Sequence, residues 1–220
     1  MKKLSVLVFV LAVVLAAGCT PKKKYSLSGY NVPQDGLSVY LVDETSEKRI
    51  DSTYVQNGCF SMEGRAPKDA FLGVHVEDVD WWYPIFNDGE PVRMNYEDYT
   101  LEGSYLNNLL GECDRKHSDA YRVLDQTYNM LNSLSEKEQQ EETGDFYYAL
   151  FQEVLKKYRY ELMGIIEQNC DNLVPVVFLP YVLRVFPDEK FYSLADSDWP
   201  FAKHPYVQAV KAKHEAQEQD

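Results

Sequence analysis

Polar and apolar residues alternate along positions 25–102 and then recur at three- and four-residue spacing along 103–210, so the two stretches are expected to fold differently. Tyr25, Leu27 and Gly29 alternate with Ser26 and Ser28. A turn cluster at 31–36 holds Pro33 and Asp35-Gly36, after which Leu37, Val39 and Leu41 alternate again. Residues 49–56 and 59–64 form two runs joined at Asn57-Gly58, and both residues of that pair accept the positive φ of a type I′ hairpin turn. Further strands are expected over Phe71–Val76, Trp82–Phe86 and residues 91–96, the last two divided by Asn87-Asp88-Gly89. Short, regularly spaced strands with Gly-containing turns predict a small antiparallel β-sandwich or barrel.

From 103 onward the pattern is helical. Ser104 is placed to cap a helix through Leu106, Leu109, Leu110, Cys113, Tyr121, Leu124, Tyr128 and Leu131. Ser135-Glu136-Lys137-Glu138 has the form of a capping box. From Asp145 the stripe Tyr147, Leu150, Val154, Tyr158, Leu162, Ile165 and Ile166 predicts an amphipathic helix of about seven turns, ended by Asp171-Asn172. Residues 174–186 are strongly apolar, but Pro175 and Pro180 interrupt them and the run is short, which predicts a buried helix rather than a membrane span. A last helix is expected from His204-Pro205, fading into a polar tail at 211–220. No linker separates the regions, so the fold expected is α+β: a β domain at 25–102 with a helical region at 103–210 packed on it.

The N-terminus reads as an address. Lys2 and Lys3 precede an apolar run at 4–17, broken only by Ser5, which is too short to cross a bilayer comfortably. It ends in Leu15-Ala16-Ala17-Gly18-Cys19. This order of charged, apolar and small residues before a cysteine resembles the lipobox of bacterial lipoproteins. The resemblance implies that residues 1–18 are removed, that the Cys19 thiol carries a diacylglycerol and that its freed amine is acylated. Each buried CH₂ then adds about 0.8 kcal/mol of anchoring. Thr20, in place of Asp, and the lack of an acidic run after Cys19 imply an outer-membrane lipoprotein facing the periplasm. Lys22, Lys23 and Lys24 are expected to form a tether with residues 19–21.

Charge narrows the partners. The chain has 220 residues, 22 Lys+Arg and 35 Asp+Glu, a formal charge of −13 and a pI near 4.7. Nucleic acid is excluded as an expected partner, because its phosphates call for a basic stripe and only residues 22–24 are densely basic. Loss of Lys2 and Lys3 on processing takes the charge from −13 to −15.

Apart from Cys19, three cysteines remain, Cys59, Cys113 and Cys170, so at most one disulfide can form within the chain. No Cys-x-x-Cys is present. The three are expected to pack as small buried hydrophobes, with a Cys113–Cys170 bridge as the alternative in an oxidising envelope. Cys113 and His117 share a helix face but lack a second ligand pair, so no metal is expected. His75, His204 and His214 stand singly, and no His-Glu-x-x-His, Gly-x-Ser-x-Gly, Walker or dinucleotide motif occurs; neither catalytic residues nor a cofactor are expected. Asp51-Ser52-Thr53 is expected to bond neighbouring backbone, and Asp78, Asp80, Asp88 and Glu90 to form a solvated acidic loop. In Asp80-Trp81-Trp82-Tyr83-Pro84 the adjacent indoles must face opposite sides of a strand. Trp82 is expected in the sheet core and Trp81 against the helices, the alternative being a ring open to a sugar, a peptide or a partner protein. Trp81, Trp82 and Tyr83 are thus the candidate ligand or interface contacts.

Three segments carry a family resemblance: residues 25–29, 50–64, and 85–92 followed by 101–107. Together they resemble the N-terminal domain of unknown function of gut-type bacterial envelope lipoproteins, which precedes a thioredoxin-like thiol:disulfide interchange domain. His204-Pro205-Tyr206-Val207 resembles the segment leading into that second domain, where this sequence stops. The resemblance implies the non-catalytic part of such a protein, a binding or interaction module with a protein partner in the envelope. Accessory roles in thiol–disulfide exchange or glycan binding are the alternatives. In a bacterial host, labelled palmitate should enter the wild-type protein and bring it into the membrane fraction, and Cys19→Ala should lose both; an unlabelled wild type would refute the lipobox reading.

Overall fold

The computed structural model describes residues 21–135 and 142–217. Cys19, the apolar leader and the capping-box glutamates therefore lie outside the described residues. Eight strands come first: β1 (Lys22–Tyr30), β2 (Ser38–Asp43), β3 (Lys48–Tyr54), β4 (Phe60–Pro67), β5 (Phe71–Val76), β6 (Trp82–Phe86), β7 (Val92–Asn95) and β8 (Thr100–Glu102). Helices follow: α1 (Tyr105–Asn132), α2 (Glu142–Gln168), α3 (Pro175–Val185), α4 (Asp188–Ala195) and, after a 3₁₀ turn at Pro200–Lys203, α5 (Pro205–Gln217). The fold is α+β, as expected.

The strands make two four-stranded sheets, ordered β4-β1-β7-β8 and β3-β2-β5-β6. Leu27, Met62 and Met94 from the first sheet and Val39, Leu41, Val74 and Ile85 from the second meet in one apolar cluster. The sheets are not wholly antiparallel: β1 and β7 run parallel, with Leu27 opposite Val92 and Tyr30 opposite Asn95. A parallel neighbour needs a long crossover, and here the crossover is the rest of the β region.

Asn57 and Gly58 have φ of 52° and 68°, and Gln56 and Cys59 exchange backbone hydrogen bonds of 2.8 and 3.1 Å. The Asp35 carboxylate accepts from both turn amides, at 3.0 and 2.7 Å. The turn is the expected one, but its arms separate into different sheets, β3 beside β2 and β4 beside β1. Polar β3 has no buried residue and suits an edge, whereas Phe60 and Met62 of β4 enter the core. Lys22, Lys23 and Lys24 lie opposite Pro67, Ala66 and Arg65 as the start of β1, not as a loose tether.

The outer face of β5 and β6 meets the helices. Phe71 and Phe86 join Leu110, Ile166, Phe178, Phe191 and Phe201 in a second cluster. Trp82 packs on that side, stacked on His75 with ring centroids 5.2 Å apart, while Trp81 packs on the inter-sheet side with Tyr99 at 4.9 Å. This reverses the expected assignment of the two indoles. β6 is covered on both faces, so alternation alone does not say which face is which.

α1 is capped by Ser104, whose Oγ accepts from the Asn107 amide at 3.2 Å. α3 is the buried short helix expected, continuing through Pro180 with Val176, Phe178 and Val182 wholly buried. α5 runs on to Gln217 through residues expected as a polar tail. Its Ala, Lys and Gln are good helix formers, and Lys211 pairs with Asp196 at 2.5 Å and Glu215 at 3.8 Å. β8 and α4 carried no sequence expectation. No helix of the described residues is long and apolar enough to cross a membrane.

A buried amide clasps the two regions at the start of α1, and His204 Nε2, 3.0 Å from the Asp69 carbonyl, adds a second tie near α5. Asn107, fully buried, accepts from the Phe86 amide at 2.8 Å and donates to the Phe86 carbonyl at 3.0 Å. Asn107→Leu, similar in volume, would leave both backbone groups dry and unpaired, at about 1–3 kcal/mol each. Urea unfolding should show a loss of about 2–4 kcal/mol for Asn107→Leu, against less than about 1 kcal/mol for the exposed neighbour in Asn108→Ala. Equal small losses would mean that the clasp carries no weight.

Candidate ligand groove in the helical region

α1 and α2 lie side by side, and the end of α3 closes one flank of the space between them. Tyr121, Leu124, Asp125 and Tyr128 recur at helical spacing on α1, as do Phe151, Leu155 and Arg159 on α2. With Arg184, Val185, Phe186 and Pro187 they line a groove of about 590 Å³, within the size range of small-ligand sites.

Two cations face this apolar space. The Arg159 Nε donates to the Val185 carbonyl, and its guanidinium lies 5.4 Å from the Phe186 ring centre. Arg184 lies 5.1 Å from the Tyr181 ring centre. Neither guanidinium forms an ion pair among the described residues. Asp125 is the one carboxylate among the groove's described lining residues, and it accepts from Asn129 at 3.0 Å.

A buried polar pair supports the groove from behind. His117, 4% exposed, meets the Tyr158 hydroxyl at 2.8 Å. Its ring lies 4.2 Å from Tyr181, 5.1 Å from Phe178 and 5.9 Å from groove-lining Tyr121. Burial, helped by the Arg184 charge, holds the His117 imidazole down at about 4, so it is neutral at neutral pH. Burial pushes the Tyr158 hydroxyl well above its ordinary value, and pushes the Asp114 carboxyl on α1 up to about 7.

A larger space of about 860 Å³ lies against another part of α1 and α2, lined by Lys116, Asp119, Arg159, Glu161 and Glu167. Its charges are of both signs and its nucleophile, Cys113, is buried, with the thiol pushed up by burial. Such a thiol is a poor attacking group.

The residues singled out from sequence do not converge. Tyr83 is core, donating its hydroxyl to the Asn95 carbonyl at 2.5 Å. Trp81, just before β6, and Trp82, its first residue, pack on opposite sides, each half-buried against other aromatic rings. Cys59, Cys113 and Cys170 are free thiols, with no Cys113–Cys170 bridge. Cys113 is buried and Cys170 half-buried, but Cys59 is exposed, because the turn hands the inward position to Phe60. Cys113 and His117 do not act as a pair: Asn169 Nδ2 lies 3.8 Å from the thiol sulfur, and the imidazole is taken by Tyr158. Among the described residues no group of three His, Cys, Asp or Glu could hold a metal ion. Asp51 bonds Tyr25 at 2.6 Å and the Ser52 amide at 2.8 Å, a structural role as expected. Asp88 is not a solvated loop residue: it is half-buried and accepts from the Ser104 hydroxyl.

Arg159 and Arg184 carried no sequence expectation. For Arg184 the available signal was its setting, a lone charge in the apolar run at 174–186; Arg159 stands among Lys156, Lys157 and Glu161 and gave no such signal. The chain matches no protein-family model, no curated protein and no solved structure.

The His117 pair predicts a pH dependence. In the folded protein the imidazole takes a proton only near pH 4, against 6.5 for the ordinary group. The unfolded state therefore binds more protons between these values, and stability falls as pH drops through the window, by roughly 3 kcal/mol in all. Asp114, whose carboxyl is raised from 3.8 to about 7, changes stability in the opposite sense. It is common to wild type and His117→Gln, so the stability gap between the two proteins isolates the histidine. That gap, from urea unfolding, should move against the wild type by roughly 3 kcal/mol from pH 6.5 to 4; a constant gap would refute the buried neutral imidazole.

Proposed function

We propose that this chain is a lipid-anchored lipoprotein of the bacterial envelope, held by Cys19 at the outer membrane and facing the periplasm, and that it works as a non-catalytic binding module. The lipobox sequence before Cys19 supports the anchor. The resemblance of roughly residues 25–110 to the domain that precedes thioredoxin-like interchange domains supports the module. We read its two facing sheets as an open β-sandwich that serves as the platform for the helices.

The observation that carries the binding role is the groove between α1, α2 and the end of α3, apolar along its walls and bearing two arginines that have no acidic partner among the described residues. Apolar walls with a few convergent polar groups are the general form of a small-molecule site. Of the other roles weighed, sugar stacking on Trp81 has less to recommend it, since that indole already lies against Tyr99 and Tyr83. A thiol–disulfide role would fall to Cys59, which has no second cysteine near it in sequence.

A ligand present at about 100 times its Kd stabilises a fold by about 2.7 kcal/mol. Thermal unfolding of the processed protein against fractionated small molecules from envelope extract should reveal at least one fraction that raises the wild-type Tm and leaves Phe151→Glu unmoved. If every stabilising fraction acts equally on both proteins, or none acts on either, the groove is not the binding site.

A further inference from the structure

The groove has a direction. Phe151 and Arg159 are eight residues apart on α2, a separation of about 12 Å along the helix. Tyr128 pairs with Phe151 at one end, with ring centroids 5.9 Å apart. Arg159 and Arg184 mark the other end, where the Arg159 bond to the Val185 carbonyl ties α2 to the end of α3. Leu124 and Leu155 line the space with them. Cationic donors thus stand at one end of an aromatic and aliphatic slot.

The charges limit what fits. The chain as a whole repels anions, with a formal charge of −13. The groove reverses that sign locally: among its described lining residues two guanidiniums stand against one carboxylate, Asp125, which leaves one positive charge in excess. Among the described residues both guanidiniums meet aromatic rings and no acid. Arg159 gives its Nε to a carbonyl, and among the described residues its terminal N–H groups have no hydrogen-bond acceptor. A guanidinium fork matches the two oxygens of a carboxylate.

We propose that the groove takes a monoanionic amphipathic carboxylate, its oxygens held by Arg159 and Arg184 and its apolar body, about 12 Å long, laid along Leu124, Leu155, Tyr128 and Phe151. This rests on the groove being the binding site and adds the class of ligand. Phosphate monoesters fit less well, since a second negative charge exceeds the groove's one positive charge and meets Asp125. Uncharged apolar ligands leave both arginines unanswered.

Calorimetric titration of the processed protein with phenylbutyrate, phenylbutyramide and phenylpropyl phosphate separates these cases. The carboxylate should bind, the amide should bind about tenfold more weakly or worse, and the phosphate should not exceed the carboxylate. Arg184→Gln, at an exposed position, should weaken the carboxylate severalfold towards the affinity of the amide while leaving the amide unchanged and the unfolding midpoint intact. Added salt should weaken the carboxylate and not the amide in the unaltered protein, a readout that needs no variant. Equal binding of carboxylate and amide would overturn the ligand class while leaving the groove as a binding site. Tighter binding of the phosphate would overturn the monoanion. No binding of any probe at about millimolar concentration would overturn the proposal outright, while the extract screen still judges the groove by itself.

Discussion

Three consecutive residues, Phe86, Asn87 and Asp88, hold the molecule together. The Phe86 backbone gives both its polar groups to the Asn107 side chain at the start of α1. The Asn87 side chain donates to the carbonyls of Ala66 and Pro67 at 3.0 and 3.1 Å and reaches the Lys23 carbonyl at 3.4 Å, closing the ends of β4 and β1. Asp88 accepts from Ser104, the cap of α1. Both sheets and the first helix are thus referred to the end of β6. The arrangement is costly to disturb, because Asn87 and Asn107 are both almost fully buried and a buried amide has no water to fall back on.

From this junction the helical region inherits its position. α1 leaves the sheet with Leu110 and Cys113 facing inward, and α2 returns along it with Leu162 and Ile166 in the same cluster. α3 then inserts almost every residue of its first turns into that cluster, which fixes where its last turn, and Arg184, must emerge. The groove is what remains between three elements whose buried faces are already committed. It is backed by His117, Tyr158, Phe178 and Tyr181, packed as a ring cluster around one hydrogen bond.

The periodicities that made the strands and helices legible are properties of single segments, and most of them appear in the structure where the sequence places them. What the sequence concealed depends on pairs of segments. The Asn57-Gly58 turn was readable because its requirement is local; the parting of its arms was not, because it depends on which neighbours β3 and β4 find. The two indoles were readable as facing apart, but the covering of β6 on both faces hid which side each took. Arg159 and Arg184 lie 25 positions apart on different helices, and only packing shows them at one groove. Asn107 illustrates the same limit: in the sequence it is one polar residue in a first helical turn, and its weight lies in the backbone it meets 21 positions earlier.

The junction also sets the distance between the chain's entry and the groove. Lys23 Nζ donates to the Asp88 carbonyl at 2.5 Å, so β1 enters beside the start of α1. α1 then runs for 28 residues without a break. At 1.5 Å per residue, the span from Tyr105 to the groove positions Tyr121 and Tyr128 is about 25–35 Å. That separation is fixed by a continuous helix and a buried clasp. A lipid on Cys19, four residues before Lys23, would therefore fasten the protein at one end of a rigid strut whose other part carries the groove. Headgroup contact would fall to the lysines of β1, and the slot with its two arginines would stand off at a distance that tether motion cannot shorten along the helix.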